Sequence, residues 1–447
     1  MTSLRQASLG SVSWLDLTKA RVSDLTNEGG SGMREFEAWT QEMMALGAQQ
    51  ENYESTVINL IASDNASPRH SSPFYKGQMI QEGVAGKRPF AGARFHDEIE
   101  RTAALIACRV FNAEHANLQP HSCSQANQSV YHALLEPGDN VLALNFKAGG
   151  HLTHGHKVNF SGMFFNFRHY GVDEATDLID YDLAEQDAIR FKPKLIVCGS
   201  SSYPRLFDAR RLREISDKVG ALLMFDLSHE AGLIASGAIP NPVPLADVAT
   251  MSMDKTMRGA HGAIILCTAK IAQKIDKGVH PGTQSSFPIS RLTQIAQALL
   301  HSQTAEFREY ANRVLDNALL LEQHFLCIPN LLVTGGTDKH YLVLNTKAAF
   351  GIDGVLAEQR LEAISVLSSR QTLPGDRTSR IDDAGGIRLG TAWITSRGYE
   401  LDEVSALATI IIEALSPSFD DAKKHHLLSR VNTLIATDKP KDVWRNS

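Results

Sequence analysis

Short apolar runs separated by stretches of helical periodicity limit what this chain can fold into more than any other feature. VLALNF (Val141–Phe146), KLIVCG (Lys194–Gly199), ALLMFD (Ala221–Asp226), DVATMS (Asp247–Ser252) and AIILC (Ala263–Cys267) are of strand length, and several carry no polar alternate. A strand exposed on one face alternates apolar and polar residues, whereas a strand buried on both faces does not. The intervening segments, such as ARRLREISDKVG, have helical periodicity. The pattern predicts an α/β fold with a parallel or mostly parallel sheet covered by helices.

The 447 residues correspond to two or three domains at about 100–200 residues each. Residues 1–32 are polar, end in NEGGSG and read as an arm. Phe36, Trp39, Met43 and Leu46 then recur at spacings of three and four, which predicts a helix that packs by one face. A long helical stretch over 288–325 leads into a second unit, where YLVLNT, AISVLS and GIRLG read as strands and 401–415 and 419–435 as helices. The expected organisation is an arm and helix over 1–59, a large domain over 60–310 and a smaller α+β domain over 311–447.

Charge and cysteine usage narrow the function. With 44 basic and 50 acidic residues, a formal net charge of −6 and no block of like charge, the chain has no electrostatic footprint for nucleic acid or an anionic membrane. Its five cysteines lack any C-x-x-C pair, which argues against a disulfide framework or a zinc site and predicts no metal. The N-terminus lacks the apolar core of about 7–15 residues that a signal peptide needs, and no apolar run reaches the roughly 18 residues of a membrane span. A cytoplasmic protein is expected.

Ligands of open α/β sheets sit at the carboxyl ends of the strands, and four segments near such ends carry chemistry here. ALLMFDLSHEAG closes an apolar strand with Asp226 and places His229 three residues on; read alone, Asp226 is equally an aspartate that caps the next helix. TMSMDKTMRGAHG sets Lys255 just past a strand, among Ser252, Asp254, Thr256 and Arg258. A lysine in a low-dielectric crevice can lose its proton and attack an aldehyde, although a bare D-K-T is equally a surface ion pair. NLQPHSCSQANQSVYHALL puts Ser122, Cys123 and Ser124 at the start of a helix, where free N–H groups and the dipole favour a phosphate or an ordinary cap. KAGGHLTHG places His151 and His154 on a glycine turn after a strand, where an imidazole can stack on a planar ring.

The pairing of D-x-x-H with a following S-x-x-K is the layout of fold-type-I pyridoxal phosphate enzymes. With it come NLIASDN, EGVAGKR, LLEPGDNVL, VNFSG, FKPKLIVCG, PNPVP, GGTDKHYLVL and GGIRLGTAWITSRG, in order along most of the chain. Together they make the chain closely resemble the serine hydroxymethyltransferases. The resemblance implies a fold-type-I transferase with a seven-stranded, mostly parallel sheet, and pyridoxal 5'-phosphate as cofactor. Carried across residue by residue, it makes Lys255 the Schiff-base lysine and Asp226 the partner of the pyridinium nitrogen. His229 approaches the phenolic oxygen, His151 stacks on the ring, and Ser201 lies near the cofactor. Ser122, Cys123, Ser124 and Ser252 hold the phosphate, with Ser285 and Ser286 reaching that of a neighbouring subunit. Arg388 clamps the amino-acid carboxylate with help from Ser63, and Glu82 handles protons at the substrate side chain. The family's shared sites imply at least a homodimer.

Several positions depart from the family pattern. The tyrosine two residues before Glu82 is Ile80, the tyrosine pair after the arginine is Pro89 and Phe90, and a glycine-rich segment is PGTQSSF. Asp254 stands where the family has histidine, VLSSRQTLPGD replaces a folate-contacting segment, and Trp393 replaces proline. The leading expectation is therefore a divergent homologue that makes or breaks the Cα–Cβ bond of β-hydroxy amino acids, joining glycine with an aldehyde, and has weak or no folate dependence. It would be an aldolase, a transaldolase or an α-methylserine-type enzyme. The alternatives are an authentic tetrahydrofolate-dependent serine hydroxymethyltransferase and a cofactor-binding protein without catalysis.

Overall fold

The computed structural model describes residues 32–66, 74–75, 77, 79–89 and 91–437, and side chains from residue 38 onward. The expected arm and Phe90 lie outside the described residues. The chain divides into two compact units at Val57/Ile58. In the first, the helix Gly32–Glu54 forms as the spacing predicts, and Trp39, Met43 and Leu46 are exposed on it. Helical periodicity identifies the stripe, and it does not supply a surface to bury it against.

The second unit is built on a seven-stranded sheet: β1 (His115–Asn117), β2 (Asn140–Leu144), β3 (Asn166–Tyr170), β4 (Leu195–Gly199), β5 (Leu222–Asp226), β6 (Val248–Ser252) and β7 (Ala263–Cys267). Their spatial order is β1-β7-β6-β5-β4-β2-β3. Neighbours from β6 through β3 run parallel, and β7 pairs antiparallel with both β6 and β1. Successive residues of the central strands enter opposite cores. Leu142, Ile196, Leu223 and Ala249 join one core, while Val141, Leu195, Met224 and Val248 join the other. Both faces are therefore dry, which is why these strands read as unbroken apolar runs. The edge strand β3, Asn-Phe-Arg-His-Tyr, is only partly covered and carries no such signal.

The expected long helix is two, Ile289–His301 and Ala305–Phe325. The second spans residue 310: Phe307, Tyr310 and Val314 pack with the sheet, while Ala318, Leu321 and Phe325 belong to the C-terminal core. That core covers a three-stranded antiparallel sheet with Gly386–Gly390 between Tyr341–Leu344 and Ser369–Gln371, and includes the helices Leu401–Leu415 and Asp421–Thr437. Val366–Leu367 lies outside this sheet and pairs parallel with Ile58–Asn59, whose Ile58 joins the same core. Among the described residues no helix is long and apolar enough to cross a membrane.

Candidate active site

Asp226 closes β5 beside Gly199 of β4. A Cβ on Gly199 would lie 2.6 Å from the Asp226 Cβ, so glycine is what lets this strand end carry a carboxylate. The Asp226 side chain is buried and fully engaged. Its Oδ1 accepts from the Ser228 hydroxyl at 2.6 Å and the Ser228 N–H at 3.1 Å, and its Oδ2 accepts from Asn127 Nδ2 at 2.8 Å. His154 Nε2 stands 3.4 Å from Oδ2. Asn127 is fixed in turn, donating to Thr153 Oγ1 at 2.9 Å and accepting from the Thr250 hydroxyl at 2.7 Å. Burial opposes ionisation of Asp226, but His154 and His151 beside it and the Ser228 hydroxyl outweigh it and hold the carboxyl well below its ordinary range.

Lys255 follows the end of β6 by three residues, and its Nζ lies 3.2 Å from His229 Nε2. His229 Nδ1 lies 3.1 Å from His340 Nε2, with the two rings stacked at 5.2 Å. If the lysine donates to His229 Nε2, the proton of that ring sits on Nδ1 and points at His340. Burial pushes both histidines well below their usual pKa, with Lys255 and Arg388 acting in the same direction. Burial also lowers the Lys255 pKa, and the charge of Asp226 offsets this only in part. Asn65 Nδ2 anchors the lysine backbone by donating to its carbonyl at 2.9 Å.

Asp254 does not bind Arg258. Its carboxylate takes the Ser252 hydroxyl and stands 2.5 Å from His261 Nδ1, while the turn from Lys255 to Arg258 carries the guanidinium 4.9 Å above the Tyr310 ring. The only Ser252 hydroxyl proton is thereby committed to Asp254.

The other expected residues fall into two groups. Ser122 caps the helix Cys123–Leu134, accepting from Gln125 N, and Ser124 is exposed in its first turn. Cys123 turns inward: its Sγ lies 2.9 Å from the Ser228 Oγ and 3.6 Å from Asp226 Oδ1. His151 arrives through the positive-φ turn at Gly149 and bonds the Thr153 hydroxyl at 2.7 Å. Burial, then the neighbouring His154, lowers its pKa to about 4. Arg388, in the middle of Gly386–Gly390, is buried and donates through Nη1 to the Ser201 carbonyl, leaving Nε unpaired. Ser63 is exposed beside Asp64, next to Ala62, which packs on Gly390. These residues surround one strand edge. Glu82, Ser285 and Ser286 form a separate group, for Ile80–Glu82 pairs antiparallel with Ser286–Pro288, and Ser286 lies opposite Glu82. Glu82 Oε1 is 3.3 Å from His280 Nε2, and among the described residues no hydrogen bond links it to Lys255.

A family described as serine hydroxymethyltransferase matches residues 36–411. The chain belongs to the serine hydroxymethyltransferase family. It is 40% identical over 396 residues to a serine hydroxymethyltransferase of Lactobacillus johnsonii, covering 88% of this chain and 96% of that protein. Proteins of the same name from Mycoplasma capricolum and Mesoplasma florum are each 44% identical. The first match covers 81% of this chain and 89% of the relative, the second 80% and 87%. These matches establish the family and fold type. They lend no support to divergence at folate positions.

Serine hydroxymethyltransferases use pyridoxal phosphate, and the residues here fit it: an ionised buried carboxylate, an amine of lowered pKa and a helix N-terminus with two hydroxyls stand around one strand edge. His154 stands out in the sequence without a role of its own, and Asn127, Thr153, Ser228, Thr250 and His340 join the site only in the structure. Asn127 left a readable signal, a polar residue on the face of the helix otherwise formed by Ala126, Val130, Tyr131 and Leu134. His340, from the C-terminal sheet, left none, since its proximity to His229 exists only in three dimensions.

Proposed function

We propose that this protein transfers a hydroxymethyl group between serine and tetrahydrofolate, using pyridoxal phosphate. The observation that carries the reading is the ionised, fully bonded Asp226 at the same strand edge as Lys255, in a chain so similar to proteins named serine hydroxymethyltransferase. Asp226 would hold the pyridine nitrogen, Lys255 the aldehyde carbon, and the helix N-terminus with Ser122 and Ser124 the phosphate. Bound there, the cofactor supplies an electron sink for bond breaking at the amino acid's Cα. The chain's own residues do the rest. Arg388 has an unpaired Nε and remaining Nη donors with which to take the substrate carboxylate. His229 stays neutral and offers one N–H, while His151 stays neutral above its depressed pKa and presents a flat face.

Glu82 takes the proton of the substrate hydroxyl in this reading. Its strand pair with Ser286 is a rigid carrier that serves the site of a second copy of the chain, giving a cytoplasmic homodimer with shared sites. The exposed stripe of Gly32–Glu54 is consistent with burial in such an assembly. A mixture of Lys255→Ala and Glu82→Gln chains tests the arrangement. Each variant alone is inactive, and mixed dimers recover about a quarter to a half of wild-type activity if the sites are shared. No recovery overturns it.

A second reading, cleavage of β-hydroxy amino acids with little call on folate, rests on Ile80 and Asp254 where the family pattern has tyrosine and histidine. Serine turnover by the holoenzyme with and without tetrahydrofolate separates the two. Strong acceleration by tetrahydrofolate supports the first, and equal rates with threonine or phenylserine as better substrates support the second.

A further inference from the structure

Three residues past Lys255, a buried cation stands without a counterion. Arg258 is 6% exposed, and among the described residues its guanidinium makes no hydrogen bond and no ion pair. Its Cζ lies 4.9 Å from the centroid of the Tyr310 ring. Burial lowers the Arg258 pKa, and Tyr310 and Glu306 offset this only in part, but a guanidinium keeps its proton at neutral pH. A buried charge without a partner is costly, and an anion on its open donors relieves that cost.

Those donors are within reach of a ligand. Nε is sealed from water, but Nη1 and Nη2, equally without partners, are not. Arg258 and Tyr310 wall a pocket of about 220 Å³ with Phe307, Ser396 and, at its rim, the exposed Glu306 and Glu309 of the helix Ala305–Phe325. Glu306 comes to 4.0 Å from His301 Nε2, and it makes no ion pair with Arg258. The wall's hydroxyl protons are spent elsewhere, that of Tyr310 on the Thr256 carbonyl and that of Ser396 on Asn65 Oδ1. Arg258 keeps its donors for whatever enters.

We propose that this pocket binds a small zwitterion, its carboxylate on the two Nη nitrogens of Arg258 and its cationic nitrogen at the rim beside Glu306 and Glu309. A simple anion would satisfy the arginine but be repelled by two carboxylates three residues apart on one helix, and a simple cation would meet a buried like charge. A molecule that carries both charges suits both ends of the pocket. The site is separate from the strand edge at Lys255 but tied to it. Arg258 N donates to the Lys255 carbonyl at 3.0 Å, and Tyr310 and Ser396 both bond Asn65, which donates to that same carbonyl.

Titration calorimetry of the holoenzyme with glycine betaine and with 3,3-dimethylbutyrate tests the assignment. The two share one shape, a quaternary carbon in the second replacing the quaternary nitrogen of the first, and neither has an amine to react with the cofactor. Betaine should bind about fivefold more tightly than its isostere. Arg258→Met should lower the number of betaines bound by one per chain, which separates this site from any binding at Arg388. Glu306→Gln with Glu309→Gln, both at exposed positions, should bring the two affinities together. No betaine binding, equal affinities in the wild type, an unchanged number bound by Arg258→Met, or a preference that survives the double glutamine variant would each overturn the proposal.

Discussion

Asp226 and Glu230 are buried carboxylates four residues apart, and their surroundings differ in kind. Asp226 meets neutral or weakly charged donors from several elements and has every oxygen engaged, so it is ionised by hydrogen bonding in spite of its burial. Glu230 pairs with a single cation, Lys339, and among the described residues its other oxygen is unpaired. A fully bonded carboxylate is a fixed charge to which a cofactor can be matched. A carboxylate balanced by a single ion leaves stability hostage to that partner, because loss of either ion strands the other.

The largest effect should come from breaking the second arrangement. Lys339→Ala is expected to lower unfolding stability by about 3–5 kcal/mol in urea, whereas Glu230→Met with Lys339→Met should recover most of it. Single and double variants that are equally unstable would put the two carboxylates in one class. Asp226→Asn should do the reverse, reducing serine turnover roughly a hundredfold or more by removing the fixed charge while lowering stability far less than Lys339→Ala. A stability loss equal to that of Lys339→Ala would make Asp226 chiefly structural.

Acid should act on the Asp226 cluster in two steps. The folded pKa of His151, about 4, lies below the roughly 6.5 of an unfolded histidine, so on acidification the unfolded chain takes up that proton first. The contribution of neutral His151 is complete above about pH 6.5 and is lost as the pH falls from there towards 4. The folded Asp226 carboxyl is depressed instead, so its contribution persists above about pH 3.9 and fades below it. Urea unfolding of His151→Asn across pH 4–7 should show a flatter curve than the wild type, and an unchanged slope would assign the loss to other groups. The smallest effect is Thr250→Val, which deletes one bond to Asn127 and should cost about 1 kcal/mol with turnover reduced severalfold.

Much of this was legible in the chain. The double-sided strands β2 and β4 to β7 appear as apolar runs because both their faces are dry, and Asp226, which closes one of them, and Lys255, just past the end of another, stand out as polar residues. The half-covered β3 and the short β1 are silent, since partial exposure tolerates any residue. The interruption of the long helical stretch at Ser302–Thr304 is equally faint. Cys123 is instructive: its place at a helix start points outward to a phosphate, yet its sulfur faces Asp226, because the first residue of a helix can present its side chain to either side.

The sequence by itself determined the layered α/β architecture, the order of its motifs and the residue types at the strand ends, for these follow from local periodicity and from the rule that ligands gather at carboxyl edges. Only the tertiary structure decided which groups share a proton or a charge. His229 meets His340 and Lys339 meets Glu230 across separations that no local pattern encodes, since electrostatics and hydrogen bonding depend on distances of a few ångströms that arise when distant segments pack.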